Sequence, residues 1–305
     1  MDTNRTTIFT TVFGSRLYGL ATPTSDYDYK AVYMPTVDEL ITGSADLTSS
    51  NHTIKDEKDT ENMSIHKFFS LAKQGQTMAI DMLFSNKYEA LPIWNNFVLS
   101  NREKFITKNM NAFMGYAKSQ AIKYSNRGKN LNNLKNTYEI LSNYFLDHAK
   151  FSDALVNRIF NDNVKYEMTK DKNGISMVSI NGIQFHTDVV VKFVKETIKK
   201  HMLSYGTRAN DACDNEGSDY KAISHAFRVI YECEELATTG KLEFPLKKRD
   251  FIYAVKTGCV NLNPDEVIDY LKSEMERVDT VLKNSELPEK CDVDTRKIIL
   301  DMYHN

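Results

Sequence analysis

Two aspartates, Asp26 and Asp28, stand one residue apart in Ser25-Asp26-Tyr27-Asp28-Tyr29, shortly after Phe13-Gly14-Ser15-Arg16-Leu17-Tyr18-Gly19. On an extended strand, alternate side chains leave on the same side, so the two carboxylates fall together while Tyr27 and Tyr29 face the other way. Carboxylates that close can share a hard, oxygen-seeking ion such as Mg²⁺ (or Mn²⁺), which keeps sites open for water and substrate phosphates. Two such ions clamp the attacking and leaving oxygens of a phosphoryl displacement. The turn before them supplies the complementary half. Thr7 to Phe13 is β-branched and aromatic and reads as a strand, and Gly14-Ser15 opens a short helix whose free N–H groups suit a triphosphate. Gly-Ser alone is an ordinary strand-to-helix turn, and an aspartate pair alone is an ordinary solvated edge. The ordered set of strand, Gly-Ser, ten residues, Asp-x-Asp and strand points to nucleotidyl transfer.

This stretch resembles the DNA polymerase β-like nucleotidyltransferase superfamily, whose pattern is a hydrophobic residue, G-[GS], a spacer, D-h-[DE]-h and a third carboxylate on a later strand. Within it, GSRLYGLATPTSDYDYKAVYMP is similar to the phage and bacterial RNA-repair-pathway polymerase-β-type group. Blocks from Asp59 to Phe84, Gly115 to Leu131 and Lys221 to Leu246 resemble blocks of the same group. Asn126-Arg127-Gly128-Lys129-Asn130 departs from the Lys-Gly-x-Arg pattern expected there. The resemblance implies an α/β (α+β) fold, with a mixed-sheet palm and a helical C-terminal subdomain. It places metal on Asp26 and Asp28, and nucleotide at Gly14, Ser15, Arg16 and Ser25. The third acid lies on the strand DTENMS, where Asp59 and Glu61 share a face; Asp59 is favoured, as metal ligand or base, with Glu61 kept beside it as a catalytic candidate.

The elements that must position these groups read as follows. Residues 1–95 alternate strands with helices and form the palm. Ser64 is expected to cap a helix through Lys73 that buries Ile65, Phe68, Phe69 and Ala72, with Gly75 ending it. Met78 to Phe84 returns as an apolar strand or helix edge, and its Asp81 is expected to be structural or solvated. The polar run between Gly43 and Asp56 reads as a mobile loop. Residues 96–305 are mainly helical, interrupted by two Asn-Gly turns that predict a β-hairpin or small meander at 164–186, set to extend a groove or to pack. A later helix buries Ile223, Phe227, Ile230, Cys233 and Ala237 and stops at Gly240. Lys221, His225 and Arg228 form a second row at i, i+4, i+7, a layout able to grip a triphosphate. A lone row of this kind is more often surface charge; the resemblance assigns it to the nucleotide. Asp211, Asp214 and Glu216 match calcium-loop spacing only loosely and read as a solvated loop.

The whole chain has 305 residues, 41% hydrophobic and 26% charged, with a net charge of −2, values of an ordinary globular protein. Local charge is uneven. Lys104 to Tyr138 carries seven cations and no acid, interleaved with Phe105, Phe113, Tyr116 and Tyr124. Cations release counterions from a phosphate backbone and aromatic faces stack bases, so Lys118, Lys123, Tyr124, Arg127 and Lys129 are candidates for binding an RNA acceptor. Cys213, Cys233, Cys259 and Cys291 form no C-x-x-C pair and read as reduced thiols. No stretch has the length of a membrane span and MDTNRTT lacks the regions of a signal peptide, so the expected place of action is the cytoplasm, with no membrane partner and no evident obligate protein partner. The expected activity is metal-dependent transfer of a nucleoside monophosphate from an NTP to a hydroxyl, on an RNA (tRNA) end. Transfer to a small molecule or protein side chain, or a regulator that holds nucleotide without chemistry, stays open.

Overall fold

The computed structural model describes residues 5–55, 58–125, 127–143, 146–160, 163–205 and 219–304. The chain divides into two compact units, one of Met1–Gln120, Ser224–Leu262 and Asp269–Asn305, the other of Ala121–Ile223 and Asn263–Ile268. This differs from a division at residue 95. The later helices carry apolar stripes, among them Phe227, Ile230 and Leu236, that are buried and complete the first unit's core.

That first unit is built on a five-stranded mixed sheet, ordered β3-β4-β2-β1-β5, from β1 (Thr6–Phe13), β2 (Tyr27–Met34), β3 (Ser50–Lys55), β4 (Lys58–Ser64) and β5 (Tyr88–Ala90). β1 is antiparallel to β2 and β5, β2 is parallel to β4, and β3 is antiparallel to β4. Gly14 opens α1 (Ser15–Tyr18) between β1 and β2, and α2 (Val37–Thr42) follows β2. On one sheet face Phe9 and Val32 are fully buried. Against it lie α3 (Ile65–Lys73) and α5 (Pro92–Phe97), with Trp94 stacked on Phe9 at a ring distance of 4.2 Å, and α4 (Thr77–Phe84) packs on α3. A turn of 3₁₀ helix, Leu99–Phe105, and α6 (Asn111–Ser125) follow.

One sequence expectation is corrected here, and one left open between strand and helix is decided. The polar run between Gly43 and Asp56 contains edge strand β3, paired with β4 from Ser50↔Met63 to Lys55↔Lys58. An edge strand exposed on both faces needs no apolar alternation, and Ile54 is 80% exposed. Met78 to Phe84 belongs to α4, whose residues Ala79 to Phe84 are all buried. A short run that is apolar on every side has no period by which helix and strand differ.

The second unit packs α7 (Arg127–Asn143), α8 (Asp153–Ile159), the meander β6 (Glu167–Lys170), β7 (Ser176–Ile180), β8 (Ile183–His186), and α9 (Val191–Ser204). Val178, Ile180 and Phe185 of the meander share one core with Leu134, Phe151 and Val194, so the meander is a packing element. Asn133 on α7 holds it, with its amide accepting from Lys165 N at 2.7 Å and donating to Lys165 O at 2.8 Å. The chain ends in α10 (Tyr220–Thr239), α11 (Arg249–Lys256), α12 (Pro264–Lys283) and α13 (Thr295–His304). Among the described residues, no helix is long and apolar enough to cross a membrane.

Ser64 closes β4 and caps α3, its hydroxyl accepting from Lys67 N at 3.1 Å in a fully buried setting. Ser64→Ala is expected to lower unfolding free energy by about 1 kcal/mol, the usual worth of an N-cap, checked by denaturant titration. An unchanged midpoint would mean that the cap does not hold the β4–α3 junction.

Candidate active site

The β1–β2 register sets the first half of the site. It pairs Phe13 with Asp28, which brings the Asp28 side chain to the turn that follows β1. Gly14 sits at φ 65°, ψ −149°, a conformation that strains any residue with a side chain. A Cβ there would also strike the Asp28 carboxylate, lying 3.3 Å from its Cγ. Only glycine lets the carboxylate pack against the turn's backbone. Gly14 O accepts from Leu17 N and Tyr18 N at 3.1 and 3.2 Å. The first N–H groups of α1 have no acceptor within the helix, so they face outward as anion donors.

The second half comes from the parallel pairing of β2 with β4, which aligns Asp28 with Asp59 and Lys30 with Glu61. The two candidate third acids thereby fall into different surroundings. Glu61 is part-buried and ion-paired with Lys30. Burial pushes its carboxyl up, but hydrogen bonds from Lys30 and Ser50 and the Lys30 charge outweigh this and hold it below the ordinary glutamate range. Asp59 is half exposed, and its Oδ1 lies 3.2 Å from Nδ1 of His52 on β3. Lys30 and His52 were not singled out from the sequence. Lys30 was accessible by the period of two from Asp28; His52 depended on recognising β3.

Asp26 lies one residue before β2, exposed, so strand alternation does not itself orient it. Arg16 does the holding. Its Nε donates to Asp26 O at 3.1 Å, its Nη2 donates to Ser25 O at 2.6 Å, and its guanidinium lies 3.6 Å from the Tyr27 ring centre. Ser25 closes its own turn, with Oγ accepting from Thr22 N at 2.8 Å. Arg16 and Ser25, expected at the nucleotide, thus build the loop that carries the aspartates. Among the described residues, no three His, Cys, Asp or Glu side chains gather into a metal cage.

The expected row on α10 is corrected at Arg228. Lys221 is exposed and His225 half-buried, but Arg228 is 7% exposed. Its Nη1 lies 2.8 and 2.9 Å from the two Glu232 oxygens and 3.2 Å from Asp81 Oδ2. Tyr18 donates to the same Asp81 oxygen at 2.8 Å, with its ring 4.2 Å from the guanidinium. Arg228 therefore neutralises buried carboxylates and is not available to a phosphate. Helical spacing cannot separate this from an outward row, because α10 is buried on most of its circumference.

Of the acceptor candidates, Lys118 and Lys129 are exposed. Lys123, Tyr124 and Arg127 lie in α6 and α7, but their side chains are outside the described residues. Two aromatic residues of that stretch are core: Phe105 and Phe113 are 1% and 0% exposed, and Phe105 stacks on Phe69. They are not base-stacking surfaces. The acids Asp211, Asp214 and Glu216, and Cys213, also lie outside the described residues; Cys233 is buried and Cys259 exposed.

A Gly-Ser turn on a mixed sheet, with aspartates on the two neighbouring parallel strands, is consistent with a polymerase-β-like nucleotidyltransferase fold. Residues 2–142 match the model of the RNA repair pathway DNA polymerase beta family. Over 316 positions the chain is 29% identical to an Enterobacteria phage T4 protein described as an uncharacterized 38.9 kDa protein in the nrdC-mobD intergenic region, with 94% of each covered. No solved structure matches the chain.

One guanidinium faces two buried carboxyls in the Arg228 cluster. Burial pushes Asp81 up to about 6 against the downward pull of Arg228 and of the Tyr18 hydrogen bond, and it raises Glu232 as well. The folded state therefore binds more protons than the unfolded chain between the ordinary aspartate pKa and about 6. The cluster's contribution falls as pH rises through that window, by roughly 2 kcal/mol for a shift of this size. Asp81→Asn is expected to lose this slope, so that its stability relative to wild type improves from pH 4 to pH 6. Parallel stability curves for the two proteins would contradict a raised Asp81 pKa in the folded state.

Proposed function

We propose that this protein transfers a nucleoside monophosphate from an NTP to a hydroxyl on an RNA end, such as that of a tRNA, and releases pyrophosphate. The observation that carries this reading is the alignment of Asp28 with Asp59 on adjacent parallel strands, with Asp28 packed against the Gly14 turn. The first N–H groups of α1 receive the β- and γ-phosphates, since backbone donors at a helix start favour anions. Asp28 and Asp59, with Asp26 at the mouth of β2, are the residues that would hold Mg²⁺ or Mn²⁺. A small set of carboxylate oxygens, without a closed cage, fits a hard ion that completes its shell with water and substrate phosphate. When bound, such an ion neutralises charge on the phosphates as the hydroxyl attacks.

The chain's own residues do the rest. Arg16 fixes the backbone of Ser25 and Asp26, so the carboxylate loop keeps its place. Asp59 is the third carboxylate, placed to join the metal set or to take the proton of the attacking hydroxyl. Glu61, neutralised by Lys30, forms the wall beside it. His225 and Lys221 remain candidates for nucleotide phosphates; Arg228 does not. The RNA acceptor rests on the exposed lysines Lys118 and Lys129, on the acid-free stretch around them, and on the RNA repair description of the matched family.

Asp28→Ala and Asp59→Asn are each expected to reduce transfer of labelled NMP to RNA by about a hundredfold or more, the scale of losing one group that stabilises transition-state charge. Glu61→Gln is expected to have a far smaller effect. A larger loss in Glu61→Gln than in Asp59→Asn would reverse the assignment. Neutralising Lys123, Arg127 and Lys129 together is expected to weaken RNA binding and to flatten its salt dependence by roughly one unit of slope per lost phosphate contact, leaving NTP affinity unchanged. Absence of RNA affinity in the wild-type protein at low salt would move the acceptor to a small molecule or a protein side chain.

A further inference from the structure

α1 has only four residues, Ser15–Tyr18, and a single turn of helix is not stable by itself because nucleation fixes several residues for one hydrogen bond. Its geometry must be imposed from outside. On one side Arg16 binds the carbonyls of Ser25 and Asp26. Tyr18, by contrast, is 6% exposed and donates to Asp81 Oδ2, which Arg228 also approaches. The residues after Tyr18 are tied to the same part of the first unit. Leu246 N donates to Tyr18 O at 3.2 Å, and Lys256 Nζ donates to Leu20 O at 2.6 Å. Gly19, at φ 77°, lies so close to the next segment that a Cβ would sit 2.7 Å from Pro245 and 3.1 Å from Arg249.

The buried charges in this arrangement have no evident purpose in stability. Apolar groups of similar volume stabilise a core as well as a buried ion pair or better. Asp81 Oδ1 moreover has no hydrogen-bond partner among the described residues, a costly state for a fully buried carboxylate oxygen. What a charged acceptor adds is direction: it selects one rotation of α1, the one that points the Tyr18 hydroxyl at Asp81.

We infer that Tyr18, Asp81, Arg228 and Glu232 form a positioning device for the nucleotide-binding turn, holding α1 in the rotation that presents the Gly14–Ser15 backbone to the triphosphate and Arg16 to the aspartate loop. Glu232 anchors the guanidinium, the guanidinium and Tyr18 share Asp81, and Tyr18 fixes the helix. All four are buried, so they act through the turn and not by contact with the nucleotide. The positioning role rests on the nucleotidyl-transfer reading for its purpose, while the mechanical link between the cluster and α1 does not.

The test uses the full chain and two near-isosteric variants. Tyr18→Phe deletes one hydroxyl and keeps the ring under Arg228; Asp81→Asn keeps an acceptor at the same place. Native-state hydrogen exchange is read at the amides of residues 15–20, alongside global stability and, in the same proteins, the apparent KM and kcat for NTP. In Tyr18→Phe these amides are expected to exchange about tenfold faster than any change in global stability explains, the factor that one ordinary hydrogen bond is worth. Asp81→Asn should exchange closer to wild type. The apparent KM for NTP should rise more in Tyr18→Phe than kcat falls. Exchange at residues 15–20 that stays at the wild-type rate, or that changes only in step with the whole protein, would overturn the inference even if the enzyme is active. Faster local exchange in a protein that transfers no nucleotide would support the link and count instead against the proposed activity.

Discussion

The Asp28 carboxylate packs against the backbone of Gly14, and most of the site's geometry follows from that contact. It exists because β1 and β2 pair in a register that sets Phe13 opposite Asp28, and because residue 14 has no side chain. The same carboxylate is aligned by β4 with Asp59, so one residue links the turn, the central strand and the next strand of the sheet. A one-residue slip in either pairing would send Asp28 to the opposite face. The sheet's buried side guards against such a slip, since Phe9, Val32 and Met63 would be turned out of the core with it.

Around this contact, charges divide into those that build and those left for substrate. Arg16 holds a loop, Lys30 neutralises Glu61, and Arg228 neutralises Asp81 and Glu232. Arg16 and Arg228 look like substrate ligands when only type and spacing are considered. Asp59, by contrast, stays half exposed, beside a histidine. In the proposed chemistry this distinction matters more than the number of charged residues near the motif, because a cation engaged by buried carboxylates has no valence left for a phosphate.

The motif region was legible in the sequence to a large degree. Strand β1, the short helix after Gly14, β4 and the Ser64 cap follow from β-branched runs, a glycine with its serine, and a capping residue before an apolar stripe. Strand β3 was not legible, because an edge strand solvated on both faces has neither an apolar run nor an alternation. α4 was ambiguous for the opposite reason, being buried all round. The choice between Asp59 and Glu61 was likewise out of reach, since both lie on one face of β4 and differ only in what the neighbouring strands place beside them.

By itself the sequence determined the local conformations and the chemical types: a glycine turn, carboxylates at a spacing of two, an acid-free basic stretch, and helices with apolar stripes. These depend on interactions between residues close in the chain, where propensity and periodicity act. Tertiary structure alone decided which charges are neutralised. It put Arg228 beside Asp81, 147 positions away, and Lys30 beside Glu61, 31 positions away. It also placed Phe105 and Phe113 in the core and divided the chain into units that draw the late helices into the first. Burial and ion pairing are properties of what surrounds a side chain, and that surrounding is fixed by strand register and helix packing over distances that no local pattern encodes.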